Sequence, residues 1–210
     1  MDEQGKILTE LSSPSALIGK DESKLRALLD AALPEGTALT VLGTASLIDP
    51  FLSMKANAAY YRLNMPPEKA ARLEELIKLS GLRKREIWEH RFRDNMGGEK
   101  QLWRIVFTLL AVPGPVYLPR ALEGLTAAQR ERLDAILADE AAHGRGLIFS
   151  AASLKDIAPM TAVKTVYLAA GDALLPFTPV EIESFRAAHG GDALSYEELA
   201  ALMIKEASPC

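Results

Sequence analysis

The sequence predicts an α/β fold in which short buried strands alternate with amphipathic helices. Apolar residues make up 49% of the 210 positions and charged residues 25%, which is typical of a globular domain. Short apolar runs alternate with segments in which apolar residues recur every three or four positions, and this pattern indicates α/β architecture. The length allows one α/β domain with a small appendage.

The first third of the chain supplies two predicted strands and a helix. Residues 15–19 form an apolar run that ends in a glycine, which predicts a buried strand and a turn. Leucines at helical spacing follow, namely Leu25, Leu28, Leu29 and Leu33. Residues 38–43 then predict a second strand.

The middle of the chain, about residues 50–105, is predicted to be helical. Pro66-Pro67 can open a helix because the first helical position needs no backbone N–H, and Gly81 is placed to end that helix. A further helix follows Gly97-Gly98, with apolar residues Leu102, Ile105, Val106 and Leu109 on one face.

The last third predicts three more strands, at residues 115–118, 146–150 and 164–168. Thr126 and Gln129 have the spacing of a capping box, in which each side chain satisfies one free N–H of a first helical turn. The same spacing at residues 178–181 and 195–198 predicts two helices in a C-terminal extension, residues 173–210. We expect their apolar residues to pack on the domain's own core.

Composition argues against several classes of function. The net charge of −4 does not favour a nucleic-acid-binding surface, and no apolar run is long enough for a membrane span. Residues 1–4 are acidic and polar, unlike a signal peptide. Cys210 is the only cysteine, and His90, His143 and His189 lack metal-ligand spacing, so we expect neither a disulfide nor a metal site. These features predict a cytoplasmic protein and leave attachment to a membrane partner open.

Neighbouring carboxylates and isolated serines give no catalytic pattern. The pairs Glu74-Glu75 and Asp139-Glu140 are adjacent in sequence, so each pair diverges around its helix and is predicted to form a solvated face. Ser150 and Ser153 lie outside any nucleophile-elbow pattern.

One motif resembles a known family. The run Asn95-Met96-Gly97-Gly98-Glu99-Lys100-Gln101 resembles the signature loop of ABC (ATP-binding cassette) ATPases, and residues 7–171 resemble that domain in the order of their elements. The resemblance implies a three-layer P-loop NTPase-like fold over residues 1–172, with a helical subdomain at about residues 50–105.

The ordered set of segments is more specific than the motif. In the family, the signature is followed by a helix, a Walker B strand that ends in Asp-Glu, a Gly-Leu turn, a helix and a strand near a switch histidine. Residues 116–118 correspond to the Walker B strand, and Glu123-Gly124-Leu125 corresponds to the Gly-Leu turn. Residues 148–154 correspond to the segment near the switch histidine, and residues 166–171 correspond to the closing strand and turn.

The residues that bind and hydrolyse ATP in this family are missing. No Gly-x-x-x-x-Gly-Lys-Ser/Thr pattern occurs, and the equivalent stretch, residues 19–24, lacks the second glycine. When the Gly124-Leu125 turn is aligned with the family's Gly-Leu turn, Pro119 corresponds to the magnesium-binding aspartate and Arg120 to the catalytic glutamate. Ala152 corresponds to the switch histidine. Proline offers no ligand, and arginine stays protonated and cannot act as a base.

The resemblance therefore implies a catalytically inactive ABC ATPase-like subunit, with no bound cofactor. Its partner would be a membrane transporter or an active ATPase, in a homo- or heterodimer, with the chain cytoplasmic or peripheral on the inner face of the membrane. The residues that resemble the family's membrane-docking segment are Leu47, Pro50, Phe51, Ser53 and Asn57. Met96, Gly97, Gly98 and Glu99 form the signature-like segment, in which the last three could contact a partner's nucleotide. The alternative for the two glycines is a plain turn before a helix.

Two alternative functions stay open at this point. A divergent ATPase could bind Mg-ATP with an unusual phosphate cradle made by Gly19, Lys20 and Ser23. A free-standing scaffold or regulatory protein would need neither nucleotide nor transporter.

Overall fold

The described part of the chain contains one sheet of six strands. The computed structural model describes residues 13–34, 36–42 and 48–207. The strands are β1 (Ser15–Ile18), β2 (Thr40–Val41), β3 (Val116–Leu118), β4 (Leu147–Ala151), β5 (Thr165–Ala170) and β6 (Ala173–Phe177). Their order across the sheet is β2-β3-β4-β1-β5-β6. All neighbouring pairs are parallel except β5 and β6, which are antiparallel.

Helices connect the parallel strands, and two further helices follow β6. They are α1 (Glu22–Ala32), α2 (Met54–Asn64), α3 (Pro67–Ser80), α4 (Arg85–Trp88), α5 (Gly97–Ala111), α6 (Ala127–Ala142), α7 (Leu154–Ile157), α8 (Pro179–Ala188) and α9 (Tyr196–Ala207). The four helices α2 to α5 lie between β2 and β3, where the sequence predicts a helical segment. Its division from the rest of the chain as a subdomain stays a prediction.

Apolar cores on both faces of the sheet make the architecture three-layered α/β. Because side chains alternate along a strand, Ala16 and Ile18 of β1 face the larger core, which includes residues of α3, α5, α6, α7 and α9. Leu17 faces the other way and packs with Leu25 and Leu29 of α1 in a smaller core. The central strands β1 and β4 are buried along their whole length, which explains why their sequences are continuous apolar runs.

The structure confirms the five strands that the sequence predicts, with shorter bounds for β1, β2 and β3. It also confirms the helix ends that rest on local chemistry. Thr126 Oγ1 accepts from the Gln129 N–H at 3.3 Å, and the Gln129 side chain accepts from the Thr126 N–H at 2.9 Å. Gly81 ends α3 with φ of 60°, a left-handed conformation that glycine adopts at little cost. The predicted packing of the tail on its own core is confirmed for Ile182, Leu199 and Met203, whereas Val180 is exposed.

The prediction of a purely helical segment after residue 172 is wrong at its start. Residues Ala173–Phe177 form β6, which pairs with β5 through a two-residue turn at Gly171-Asp172. Pro176 cannot donate a backbone hydrogen bond, and an edge strand tolerates this loss. The extension therefore contributes an edge strand to the sheet before α8 and α9 begin.

The prediction that Asp139-Glu140 forms a solvated face is also wrong. Glu140 is only 2% exposed and binds Arg72 of α3 through its Oε1, while its Oε2 lies 3.1 Å from Arg145 Nη1. Arg72 also binds Asp139. Arg145 in turn donates to the carbonyl oxygens of Leu109 and Gly114. This charge cluster connects α3, α5 and α6 beneath the surface.

Candidate functional site

A cleft opens at the carboxyl ends of β1, β3 and β4. These three strands are neighbours in the sheet, and open α/β sheets bind their ligands in the crevice outside such strand ends. The cleft has a volume of about 330 Å³. Its lining consists of Gly19, Lys20, Glu22, Arg120, Leu122, Glu123, Gly124, Arg130, Ser150, Ala151, Ala152 and Asp156.

The loop between β1 and α1 is only three residues long, because β1 ends at Ile18 and α1 begins at Glu22. Asp21 caps the helix, and its Oδ1 accepts from the Lys24 N–H at 3.0 Å. A P-loop places four residues between its two glycines so that backbone N–H groups surround the phosphates. The present loop is too short for that cradle.

The predicted cradle residues do not converge on one point. Gly19 and Lys20 line the cleft, but Lys20 Nζ lies 3.2 Å from Glu197 Oε1 of α9. Both side chains of that pair are well exposed, so the pair contributes little to stability. Ser23 is exposed on the first turn of α1 and lies outside the cleft lining.

A carboxylate of the chain itself lies over the first turn of α1. Glu22 Oε1 accepts from Tyr117 Oη of β3 at 2.5 Å, and Glu22 Oε2 accepts from Ser150 Oγ of β4 at 2.6 Å. Ser150 Oγ also accepts from the Arg120 N–H at 2.7 Å. Sequence analysis missed this network, which connects the ends of three structural elements through one side chain.

The hydroxyl of Tyr117 is held in its protonated form. Burial raises the pKa of Tyr117 well above its ordinary value, and the hydrogen bond to Glu22 raises it further. The phenol therefore donates to Glu22 throughout the physiological pH range. The Arg26 guanidinium lies 5.7 Å from the centre of the same ring and covers it from the helix side.

The shifted pKa of Tyr117 predicts a loss of stability in alkali. The unfolded state deprotonates this phenol near pH 10 while the folded state keeps the proton, so the free energy of unfolding falls as pH rises above about 10. The contribution of this group is about 1.4 kcal/mol per pH unit. Urea unfolding between pH 9 and pH 11.5 should show a shallower decline for Tyr117→Phe than for the native chain. Parallel declines would contradict the assignment.

The end of β3 carries no carboxylate at the cleft. Pro119 and Arg120 follow Leu118, the last residue of β3. Arg120 has φ of +49°, and it is the one non-glycine residue in the described ranges with a positive φ. Such a conformation costs about 1–3 kcal/mol and tends to occur at functional sites. Its side chain is exposed, with Nη1 3.7 Å from Glu123 Oε2.

The end of β4 offers no titratable side chain at residue 152, because Ala152 lines the cleft there. Arg130 of α6 also lines the cleft and binds Asp156 at 3.1 Å. Asp156 also accepts from the N–H and hydroxyl of Ser153. The charged lining residues are therefore three cations (Lys20, Arg120 and Arg130) and three anions (Glu22, Glu123 and Asp156).

The signature-like residues lie at the start of α5, beside the cleft and outside its lining. Met96 is exposed, and Glu99 Oε2 accepts from the Met96 N–H at 3.0 Å. Gly98 is buried against the Gly124 turn, which does line the cleft. The Gly124 turn follows β3 in the chain. Because Gly98 packs against this turn, its lack of a side chain determines how closely α5 approaches the end of β3.

This close approach makes Gly98 and Gly97 a matched pair for substitution. A Cβ at Gly98 would lie 2.8 Å from the carbonyl oxygen of Gly124 and 2.4 Å from Gln129 Oε1, whereas a Cβ at Gly97 would meet nothing within 4 Å. We expect Gly98→Ala to lower the free energy of unfolding by about 1–3 kcal/mol. Gly97→Ala should leave it unchanged or slightly higher. Equal effects in urea denaturation would contradict the packing role of Gly98.

The predicted docking residues have two different environments. Phe51 is exposed, with the Arg93 guanidinium 5.3 Å from its ring centre, and Pro50 is exposed beside it. Ser53 instead caps α2, and Asn57 is buried, where it bonds both the N–H and the carbonyl oxygen of Asp49. Ser53 and Asn57 therefore stabilise the segment. Leu47 lies outside the described residues.

A second apolar face of α2 extends this exposed region. We call Ala56, Tyr60 and Leu63 the α2 stripe, because their spacing places them along one side of the helix. Tyr60 is 62% exposed and Leu63 85%, while Met54 and Ala58 on another side are buried. The stripe was not predicted from the sequence, although apolar residues at helical spacing occur on two sides of this helix.

Comparisons with known proteins identify no family. No family model matches the chain, and no curated protein is significantly similar to it. Two further properties hold for the described residues. None of their helices is both long and apolar enough to cross a membrane, and no group of three or more His, Cys, Asp or Glu side chains could hold a metal ion.

Proposed function

We propose that this chain is a catalytically inactive ABC ATPase-like subunit that docks on a membrane transporter or on an active ATPase partner. The observation that carries the proposal is the cleft at the ends of β1, β3 and β4. It lies where an α/β protein of this kind would bind a nucleotide, yet its strand ends present Pro119, Arg120 and Ala152.

The order of elements supports the cassette part of the proposal. After the signature-like start of α5 come β3, the Gly124 turn, α6, β4 and β5, which is the order that the resemblance implies. The three strands that would carry the Walker A, Walker B and switch residues are β1, β3 and β4, and they lie side by side.

The groups around the cleft support the absence of hydrolysis. Phosphoryl transfer depends on a phosphate cradle, a metal-binding carboxylate and a residue that positions the nucleophile. The three-residue loop cannot form the cradle. Pro119 supplies no ligand, and Arg120 cannot accept a proton because guanidinium stays protonated.

The α2 stripe supports docking. Exposed apolar patches on folded domains commonly mark contacts with other proteins, and Tyr60, Leu63 and Phe51 belong to one segment of the chain. ABC sites form between two subunits, so a subunit without catalytic residues can still contribute its dimer and membrane-docking surfaces. The part that resembles the family's membrane-docking stretch, residues 47–57, includes Phe51, and Tyr60 and Leu63 follow it in α2.

The divergent-ATPase alternative finds less support. Gly19 and Lys20 line the cleft, but Ser23 is exposed and lies outside its lining, so the three residues form no joint site. ATP turnover that disappears in Lys20→Ala or Lys24→Ala would nevertheless establish that function and overturn ours.

Docking is tested by co-purification from the native membranes. The tagged full chain, expressed at its natural level and extracted with mild detergent, should retain a protein with several membrane spans or an active ATPase in a fixed ratio. A chain that elutes alone from membranes and cytosol alike would contradict docking and favour the free-standing scaffold.

A further inference from the structure

Two buried hydroxyl groups donate to the two oxygens of one carboxylate, that of Glu22, the first residue of α1. Tyr117 and Ser150 are each 1% exposed, and both donate to the carboxylate of Glu22. Within the described residues, Glu22 is the acceptor that the structure gives to each hydroxyl. The arrangement is that of an anion site in which the anion is a side chain of the same protein.

The surrounding charges favour an anion at this point. With Glu22 included, the charged lining groups of the cleft balance at three positive and three negative. Without Glu22 the balance is three positive and two negative. The first turn of α1, an 11-residue helix, also presents the positive end of its dipole here.

We propose that the cleft is an oxyanion site closed by the chain's own Glu22, whose carboxylate occupies the place of a phosphate group. The ligand class that Glu22 excludes is a small tetrahedral oxyanion or the terminal phosphate of a larger molecule. The inference rests on the proposed function in one respect, that the native chain does not bind nucleotide in this cleft.

Inorganic phosphate is the probe, and calorimetry of the full-length chain is the measurement. Glu22→Ala removes the carboxylate but keeps the hydroxyls of Tyr117 and Ser150. We therefore expect this variant to bind phosphate at least tenfold more tightly than the native chain. Adding Tyr117→Phe to Glu22→Ala should remove most of that gain, because the binding then lacks one of its two hydroxyl donors.

Glu123→Ala is the matched control. Glu123 lines the same cleft and carries the same charge, but its carboxylate contacts the exposed Arg120 side chain and neither buried hydroxyl. We expect no gain in phosphate binding from its removal. Circular dichroism checks each fold, and Glu22→Ser takes the place of Glu22→Ala if the alanine variant unfolds.

The outcomes distinguish this inference from the proposed function. A folded Glu22 variant that binds phosphate no better than the native chain would overturn the inference, and so would an equal gain in Glu123→Ala. Nucleotide binding by the native chain would instead overturn the proposed function, whatever the variants do.

Discussion

Replacing Glu140 by alanine is expected to lower the free energy of unfolding by about 3–5 kcal/mol. The Glu140 carboxylate is 2% exposed and lies between the guanidinium groups of Arg72 and Arg145. Removing this carboxylate takes one partner from each of the two guanidinium groups, and the Arg145 side chain is largely shielded from water. A buried charge without compensation is far more costly than a lost surface pair.

Glu131→Ala, on the exposed side of the same helix, is the control for this prediction. It changes the net charge equally and should alter stability by no more than about 0.5 kcal/mol. Urea denaturation of both variants gives the comparison. A loss below about 1 kcal/mol for Glu140→Ala would mean that the charge cluster does not connect α3 and α6 energetically.

Replacing Leu63 by glutamine is expected to weaken partner binding at least tenfold while leaving the fold unchanged. Leu63 is 85% exposed in the isolated chain, so its own fold gains little from it. Burying a leucine side chain in an interface contributes about 2 kcal/mol, and 1.4 kcal/mol corresponds to a factor of ten in Kd.

Val180→Gln is the matched control for the α2 stripe. Val180 is 75% exposed and lies on α8, outside the stripe. The amount of co-purified partner should fall for Leu63→Gln and stay constant for Val180→Gln. Equal amounts for both variants would show that the stripe is not the docking surface.

Local patterns predicted most of the fold. Apolar runs predicted β1 to β5, and capping boxes predicted the starts of α6, α8 and α9. The runs are clearest in β1 and β4, because both faces of these central strands are buried. β6 was missed because Pro176 interrupts its strand pattern. The two-residue turn Gly171-Asp172, a hairpin signal, was the available indication.

Single contacts in the site were harder to predict. Counting residues along the chain gave the positions of Pro119, Arg120 and Ala152 at the strand ends. The bonds of Glu22 join residues 95 and 128 positions apart, and no local pattern encodes such pairs.

The burial of Glu140, unlike the bonds of Glu22, could have been predicted from a local sequence pattern. Leu133, Ile136, Leu137 and Glu140 recur at helical spacing, which places the carboxylate on the buried side of α6. Adjacent acids on a helix therefore need to be assigned separately to its faces.

Calorimetry of the native chain with Mg-ATP and Mg-ADP tests whether the cleft binds nucleotide. A folded chain, verified by circular dichroism, should give no heat of binding up to millimolar nucleotide, because the cleft lacks a phosphate cradle. Binding tighter than about 100 μM, or about −5.5 kcal/mol, would contradict an inactive cassette-like subunit.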